Sequence, residues 1–192
     1  MNKQPEITAK TRRNIMDAFW LLYSQMDIDK ITVGAITKKA GYNRSTFYAY
    51  FTDIYDLLDQ IENEMVENLS EKFASFFSET LPLDFQVFSG KCAEIFAENG
   101  DKLFYLLRHN NKFADKLKKS LLPVVVTYSG IIGSEKEKDI EYVQTFIFSA
   151  MLGMVTHWYD SGKDRDVKDF VRFAQTLVAN GVLGYTQVNL FK

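Results

Sequence analysis

Three observations predict an all-α fold. Apolar residues recur at helical spacing along most of the chain. Alternating β-branched runs are missing, and residues 124–127 form the one β-branched cluster. Prolines stand at positions 5, 82 and 123, and the ten glycines fall mostly between periodic segments. The chain has 192 residues, 46% of them apolar, which is enough to bury a core. That excludes intrinsic disorder and allows one large domain or two small ones.

Each element has a local reason. Ile15, Phe19 and Leu22 mark the apolar face of a first helix over about 8–25. A short second helix follows Thr32, whose hydroxyl can cap free backbone N–H groups. It ends at Ala40-Gly41, where glycine can supply the left-handed turn. Asn43 can cap a third short helix over 44–50. Leu57, Ile61, Met65, Leu69, Phe73 and Phe76 then keep one apolar face through a long helix over 53–79. Pro82 stops it, because proline disfavours helical geometry at Leu81. Further helices are expected over 84–98, 101–108, 112–132, 137–161 and 165–181, with Pro123 kinking the third of these. The total is about nine.

Composition removes several chemistries. A single cysteine, Cys92, cannot close an internal disulfide, and His109 and His157 are too few for a Cys/His zinc cage. No metal or other cofactor is expected. No phosphate-binding glycine loop, nucleophile elbow or paired-histidine motif is present, so neither catalytic residues nor enzyme activity is expected. The amino terminus lacks the apolar core of a secretory signal. The most apolar stretch, 146–155, is about half of the ~20 residues a membrane span needs. A soluble, cytoplasmic protein without a membrane partner is the expectation, with Cys92 an inert buried thiol.

The informative segment is 31–51, ITVGAITKKAGYNRSTFYAYF. It reads as helix, glycine turn, helix, and both helices are too short to be stable alone. Val33, Ile36, Ala40, Phe47 and Phe51 fall where each helix can bury a face. Arg44, Ser45, Thr46, Tyr48 and Tyr50 are left on the outer side of the third helix. Such residues are poor core material and good groove material: arginine bonds guanine or phosphate, and the hydroxyls reach phosphates. The pattern is a helix-turn-helix, whose second helix enters the major groove.

Thr32-Val33, Ile36, Ala40-Gly41, Thr46-Phe47-Tyr48, Tyr50-Phe51 and Leu57-Leu58, at these spacings after an amphipathic helix, resemble the TetR family of transcriptional regulators over about residues 8–60. Residues 148–162, FSAMLGMVTHWYDSG, resemble the regulatory domain of a Gram-positive, Firmicutes-type branch, through Gly153, Trp158 and Gly162. The resemblance implies a DNA-binding domain over 1–52 and a helical effector-binding and dimerisation domain over 53–192, joined through the long fourth helix. It implies a homodimer on a palindromic double-stranded DNA operator, usually a repressor released by a small-molecule effector. The DNA contacts are then expected from Thr32, Lys39, Tyr42, Asn43, Arg44, Ser45, Thr46, Tyr48, Tyr50 and Tyr55. A helical co-activator or adaptor of the same fold, working through a protein partner, is the alternative.

The sequence departs from the family pattern at three places. Gly34-Ala35 replaces a charged pair, so the reciprocal acid of a capping box at Thr32 is missing. Ala49 replaces a larger polar or aromatic residue. Ile54 stands where a lysine often approaches phosphate, and Tyr55 or the free N–H groups of the fourth helix could substitute. Charge follows the same division. Residues 1–51 carry eight basic and four acidic side chains (+4), and the remainder fifteen basic and twenty-one acidic (−6), which hides the basic quarter within a net charge of −2. Lys10, Arg12, Arg13, Lys38 and Lys39 are candidate phosphate contacts.

In the carboxy-terminal part most aromatics are expected in the core. Tyr105, Arg108, His109, Tyr128 and Trp158 combine apolar surface with a polar handle and are the candidate effector pocket. Apolar faces on the last two helices, with Ala150 and Gly153 permitting close approach, make Ile147, Ala150, Met151, Gly153, Phe170, Ala174 and Leu177 the expected dimer contacts.

Overall fold

The computed structural model describes residues 4–79, 85–128, 137–174 and 176–177. Its bounded elements are α1 (Gln4–Tyr23), a single 3-10 turn (Ile28–Lys30), α2 (Val33–Ala40), α3 (Arg44–Tyr48), α4 (Ile54–Glu79), α5 (Phe85–His109), α6 (Asn111–Tyr128) and α7 (Glu137–Asp160). Residues 167–174 are helical as well, and no strand occurs among the described residues. The fold is all-α.

The eight bounded helical elements depart from the expected pattern in several places: α1 begins at Gln4 and not near 8, and α3 stops at Tyr48 and not at 50. The helices expected over 84–98 and 101–108 are one continuous α5, so Asn99-Gly100 does not interrupt it. The 3-10 turn before α2 has no counterpart in that pattern, because three residues are too few to show a period. Pro123 lies inside α6, which continues to Tyr128. The stop at Leu81-Pro82 and the ends expected at 132 and 181 lie outside the described residues.

The chain divides into two compact units, Met1–Glu64 and Met65–Lys192, with the division inside α4. In the first unit, α2 packs on α1 and α3 on α2. Its core is Ile15, Phe19, Ile36, Phe47, Phe51 and Leu57, each at most 1% exposed. Full burial of such a side chain contributes roughly 1.5–3 kcal/mol, which anchors helices too short to persist alone.

The second unit packs Cys92, Val155, Trp158, Phe170 and Val171 into one cluster flanked by Phe73, Phe96, Met154, Tyr159 and Val167. Trp158 stacks on Phe170 at 4.7 Å and donates its indole N–H to the Arg165 carbonyl at 3.0 Å. Burial pushes the Cys92 thiol up to about 12, so the thiolate required for reactivity does not form near neutral pH.

Candidate nucleic-acid interface

The turn that presents α3 is built from local hydrogen bonds. Thr32 caps α2 by accepting from the Ala35 N–H at 3.1 Å. Gly41 sits at φ +77°, the left-handed region in which a Cβ is strained. From there the Gly41 and Tyr42 N–H groups both return to the Thr37 carbonyl, closing the end of α2. Asn43 caps α3 through one oxygen, which accepts from the Thr46 N–H at 2.8 Å, the Ser45 hydroxyl at 2.6 Å and the Thr46 hydroxyl at 2.9 Å.

Within α3 and the turn after it the side chains divide as the sequence suggests. Phe47 is fully buried, Arg44, Ser45 and Tyr48 are exposed, and Thr46 and, beyond the helix, Tyr50 are half-buried. Tyr48, at 58% exposure, is a large aromatic left in solvent. Asn43 engages the hydroxyl protons of Ser45 and Thr46, leaving those oxygens as acceptors and the Asn43 amide N–H groups as donors. Tyr42 accepts from the Asn14 amide at 3.0 Å and is hydrogen-bonded by Thr11. The bonds from Thr11 and Asn14 hold the Tyr42 phenol below its ordinary range. Thr32, just before α2, and Lys39 on it are exposed. Thr11 and Asn14 lie outside the helix-turn-helix motif and escape a motif reading. The one sequence signal for them is their separation by about a helical turn, on the face that meets Tyr42.

Three of the groups expected to meet phosphate are engaged within the chain. Tyr55 is exposed, but its hydroxyl donates to Asp29 at 2.8 Å, which raises its pKa. The start of α4 is not a free cluster of N–H groups either. Asp53 accepts from the N–H groups of Tyr55 and Asp56, each at 2.8 Å, and Asp56 accepts from the Thr52 N–H at 2.7 Å. Two of the first N–H groups of α4 are thus already held by a carboxylate of the chain itself. Arg12 is also engaged: it pairs with Glu64, donates to Gln60 at 2.7 Å and lies over the Phe51 ring. Lys10, Arg13, Lys38 and Lys39 remain exposed.

Among the described residues, the expected effector-pocket side chains are engaged in other contacts. Trp158 is 5% exposed and belongs to the packed core. Arg108 pairs with Asp160, while Tyr105 and His109 stack on one another at 4.1 Å. The Tyr128 side chain lies outside the described residues. A groove of about 420 Å³ lies instead between α4 and α5, where Phe73, Phe76, Cys92 and Ile95 supply the apolar lining and Lys72 and Glu98 form an ion pair.

The expected dimer contacts also separate. Phe170 and Ala174 are buried within the protomer, so they are not available to a partner surface. Ile147, Ala150 and Met151 are half-buried, and Gly153 and Leu177 are exposed. Most aromatics here are expected in the core, yet Tyr142 and Phe146 are 78% and 56% exposed, and Phe173 is 44% exposed. Tyr142, Phe146 and Gly153 form one stripe on α7, and Phe173 and Leu177 lie one turn apart. Among the described residues no helix is long and apolar enough to cross a membrane, and no group of three or more His, Cys, Asp or Glu side chains is placed to hold a metal.

Comparison with known proteins follows the same two-part division. Residues 15–61 match the family described as bacterial regulatory proteins of the TetR family, and residues 85–180 match a transcriptional regulator C-terminal region of that family. Over 69 residues the chain is 32% identical to the HTH-type transcriptional regulator AcrR of Shigella flexneri, covering 36% of this chain and about a third (32%) of that relative's length. Among solved structures, the fatty acid degradation regulator FadR of Bacillus halodurans superposes with a TM-score of 0.69 at 20% identity, over 89% of this chain and 95% of that one. A TetR transcriptional regulator of Streptococcus agalactiae superposes with a TM-score of 0.59 at 22% identity, over 91% and 97%. At those identities the structures show a shared fold.

Proposed function

The chain belongs to the TetR family of transcriptional regulators, and from that premise we propose that it is a cytoplasmic, homodimeric, sequence-specific repressor of a palindromic operator, released by a small-molecule effector. The observation that carries the DNA-binding part is α3 itself. Five residues are anchored by fully buried Phe47 and capped by Asn43, and they present Arg44, Ser45 and Tyr48 to solvent. A helix with that outer face gains little from folding and much from a groove lined with base edges and phosphates. The proposed contacts are Arg44, Ser45 and Tyr48 in the groove, with Thr32, Lys39, Tyr42, Asn43, Thr46 and Tyr50 beside it. Tyr55 is left out because Asp29 holds its hydroxyl.

Dimerisation is supported by the exposed stripe Tyr142, Phe146 and Gly153 and by Phe173 and Leu177. Exposed aromatics at one-turn spacing are costly in a monomer and suit a helical interface between copies. Two copies then read two half-sites one or more helical turns apart. The effector site is assigned to the 65–192 unit, and α4, which belongs to both units, is the element through which an effector would act.

The test is selection of genomic fragments by the purified full-length protein, followed by binding of the recovered site across salt concentrations. A palindromic site is expected, with affinity falling steeply as salt rises. Enrichment of no sequence would refute the proposal, and a monomer at binding concentrations would refute the dimer.

A further inference from the structure

Resting on the DNA-binding reading above, the geometry points to Gly34 as a positioning residue for Arg44: a notch on α2 that seats the arginine guanidinium so that it reads a guanine edge. A Cβ built on Gly34 would lie 3.1 Å from Arg44 Nη2, 3.7 Å from Nε and 3.8 Å from Cζ. Nη2 therefore lies closer than an ordinary contact to the point that every other residue type would fill, with Nε and Cζ in van der Waals range of it. The glycine stands in the first turn of an eight-residue helix, where it is the poorest choice for helix stability short of proline. Its φ is not left-handed, so backbone conformation does not require it. The space it leaves does have an occupant, and that occupant is Arg44.

The state of Arg44 supplies the second half of the argument. It is exposed and is the first residue of α3, the end of a recognition helix that meets base edges. No hydrogen bond or ion pair holds it among the described residues, and α2 has no acidic residue in its first turn. Its five donors are unclaimed, unlike those of Arg12, which pairs with Glu64. A long unpaired arginine loses rotamer freedom on binding, and the open space at Gly34 is what lets the guanidinium lie against α2, where a side chain would displace it. Guanine is the base whose O6 and N7 match the guanidinium fork.

The experiment uses the full-length protein and duplexes bearing the site that the wild type selects, each guanine replaced in turn. Wild type is expected to show one guanine per half-site whose replacement weakens binding by about 5- to 150-fold, a preference that Arg44→Ala abolishes. Gly34→Leu, a strong helix former that fills the notch, is expected to abolish the same preference without a lower melting temperature. In the Arg44→Ala background, Gly34→Leu should change affinity less than twofold. Retention of the guanine preference by Gly34→Leu overturns the inference. So does an equal loss with and without Arg44, which would mean that leucine meets the DNA itself. A uniform loss across sequences in Arg44→Ala, with a shallower salt dependence, would assign Arg44 to phosphate and likewise overturn it. If Gly34→Leu fails to fold, Gly34→Ala decides alone: a reduced guanine preference supports the notch and an unchanged one overturns it. The DNA-binding reading fails separately, if wild type selects no sequence at all.

Discussion

Replacing Asn43 with alanine removes one oxygen that accepts three hydrogen bonds, from the Thr46 N–H and from the Ser45 and Thr46 hydroxyls. Loss of an N-cap typically costs about 0.5–2 kcal/mol. The lower part of that range applies to long helices that fray without consequence, and α3 has five residues and little else holding its first turn. Taking about 1 kcal/mol, the 1–64 unit should melt roughly 4–8 °C lower if it unfolds as its own cooperative unit. The same energy, if it is the cost of ordering α3 before docking, weakens DNA binding by about fivefold. Asn43→Asp separates the cap from the DNA contact. Its carboxylate accepts as well as the amide does and favours the helix start, so the melting temperature should hold. Its charge faces phosphate, so DNA binding should still fall. Thermal unfolding by circular dichroism, hydrogen exchange at the Thr46 amide and operator affinity together read both effects. If Asn43→Asp melts as low as Asn43→Ala, or if Asn43→Ala melts with wild type, the capping account of α3 is wrong.

Arg12→Ala should cost at most about 1 kcal/mol, because its pair with Glu64 is roughly a third exposed, and should leave the salt slope of DNA binding unchanged. Lys10→Ala or Arg13→Ala should instead lower that slope by about 0.9 per phosphate that is no longer neutralised, which salt titration of affinity reads directly. Gly100→Ala should destabilise the second unit by about 1–3 kcal/mol in denaturant unfolding, since its Cβ would overlap the Tyr159 hydroxyl while that ring is stacked on Phe104. Tyr159→Phe in the same chain should restore most of the loss; no restoration would place the strain elsewhere. Phe146→Asp should convert the dimer to a monomer in sedimentation with the helical signal retained, and an unchanged dimer would exclude the α7 stripe as the interface. Hydrogen bonds from Thr52 and Gln60 hold the Asp56 carboxyl below its ordinary range, so its capping stabilisation is present above about pH 4 and is lost as pH falls through the lowered value. The stability gap between wild type and Asp56→Asn should therefore narrow below about pH 4; a constant gap from about pH 7 to about pH 3 would sink this account.

The first unit is legible in the sequence because its signals are local. A threonine before an apolar turn, a glycine at a helix end and an asparagine before a polar helix each act on backbone atoms within a few residues, so spacing alone assigns Thr32, Gly41 and Asn43. Apolar periodicity places Ile15, Phe19, Ile36, Phe47 and Leu57 correctly in the core for the same reason. In α5 the same reasoning fails. Asn99-Gly100 looks like a helix end, and tertiary packing overrides it: the glycine is kept for the Tyr159 hydroxyl, not for a turn. On α7 periodicity does not choose between two apolar stripes. Val155 and Trp158 face the core, and Tyr142 and Phe146 face solvent, though all four are apolar and helically spaced. Sequence spacing gives the angle between side chains and not which angle points inward.

The same limit governs the charges. Arg12 and Arg13 are neighbours in sequence, and both enter the basic count of residues 1–51 as equals. They lie about 100° apart around α1. One side chain reaches Glu64, Gln60 and the Phe51 ring, and the other is left in solvent. A phosphate releases counterions only against a cation that the protein has not already neutralised. Lys30, paired with Asp27 at 2.9 Å, is discounted in the same way, although its exposure makes that pairing weak. The excess of +4 therefore overstates the number of cations left unpaired. For an anionic partner the cations that count are those the fold leaves unpaired, and Arg44 is one of them, exposed at the first position of α3.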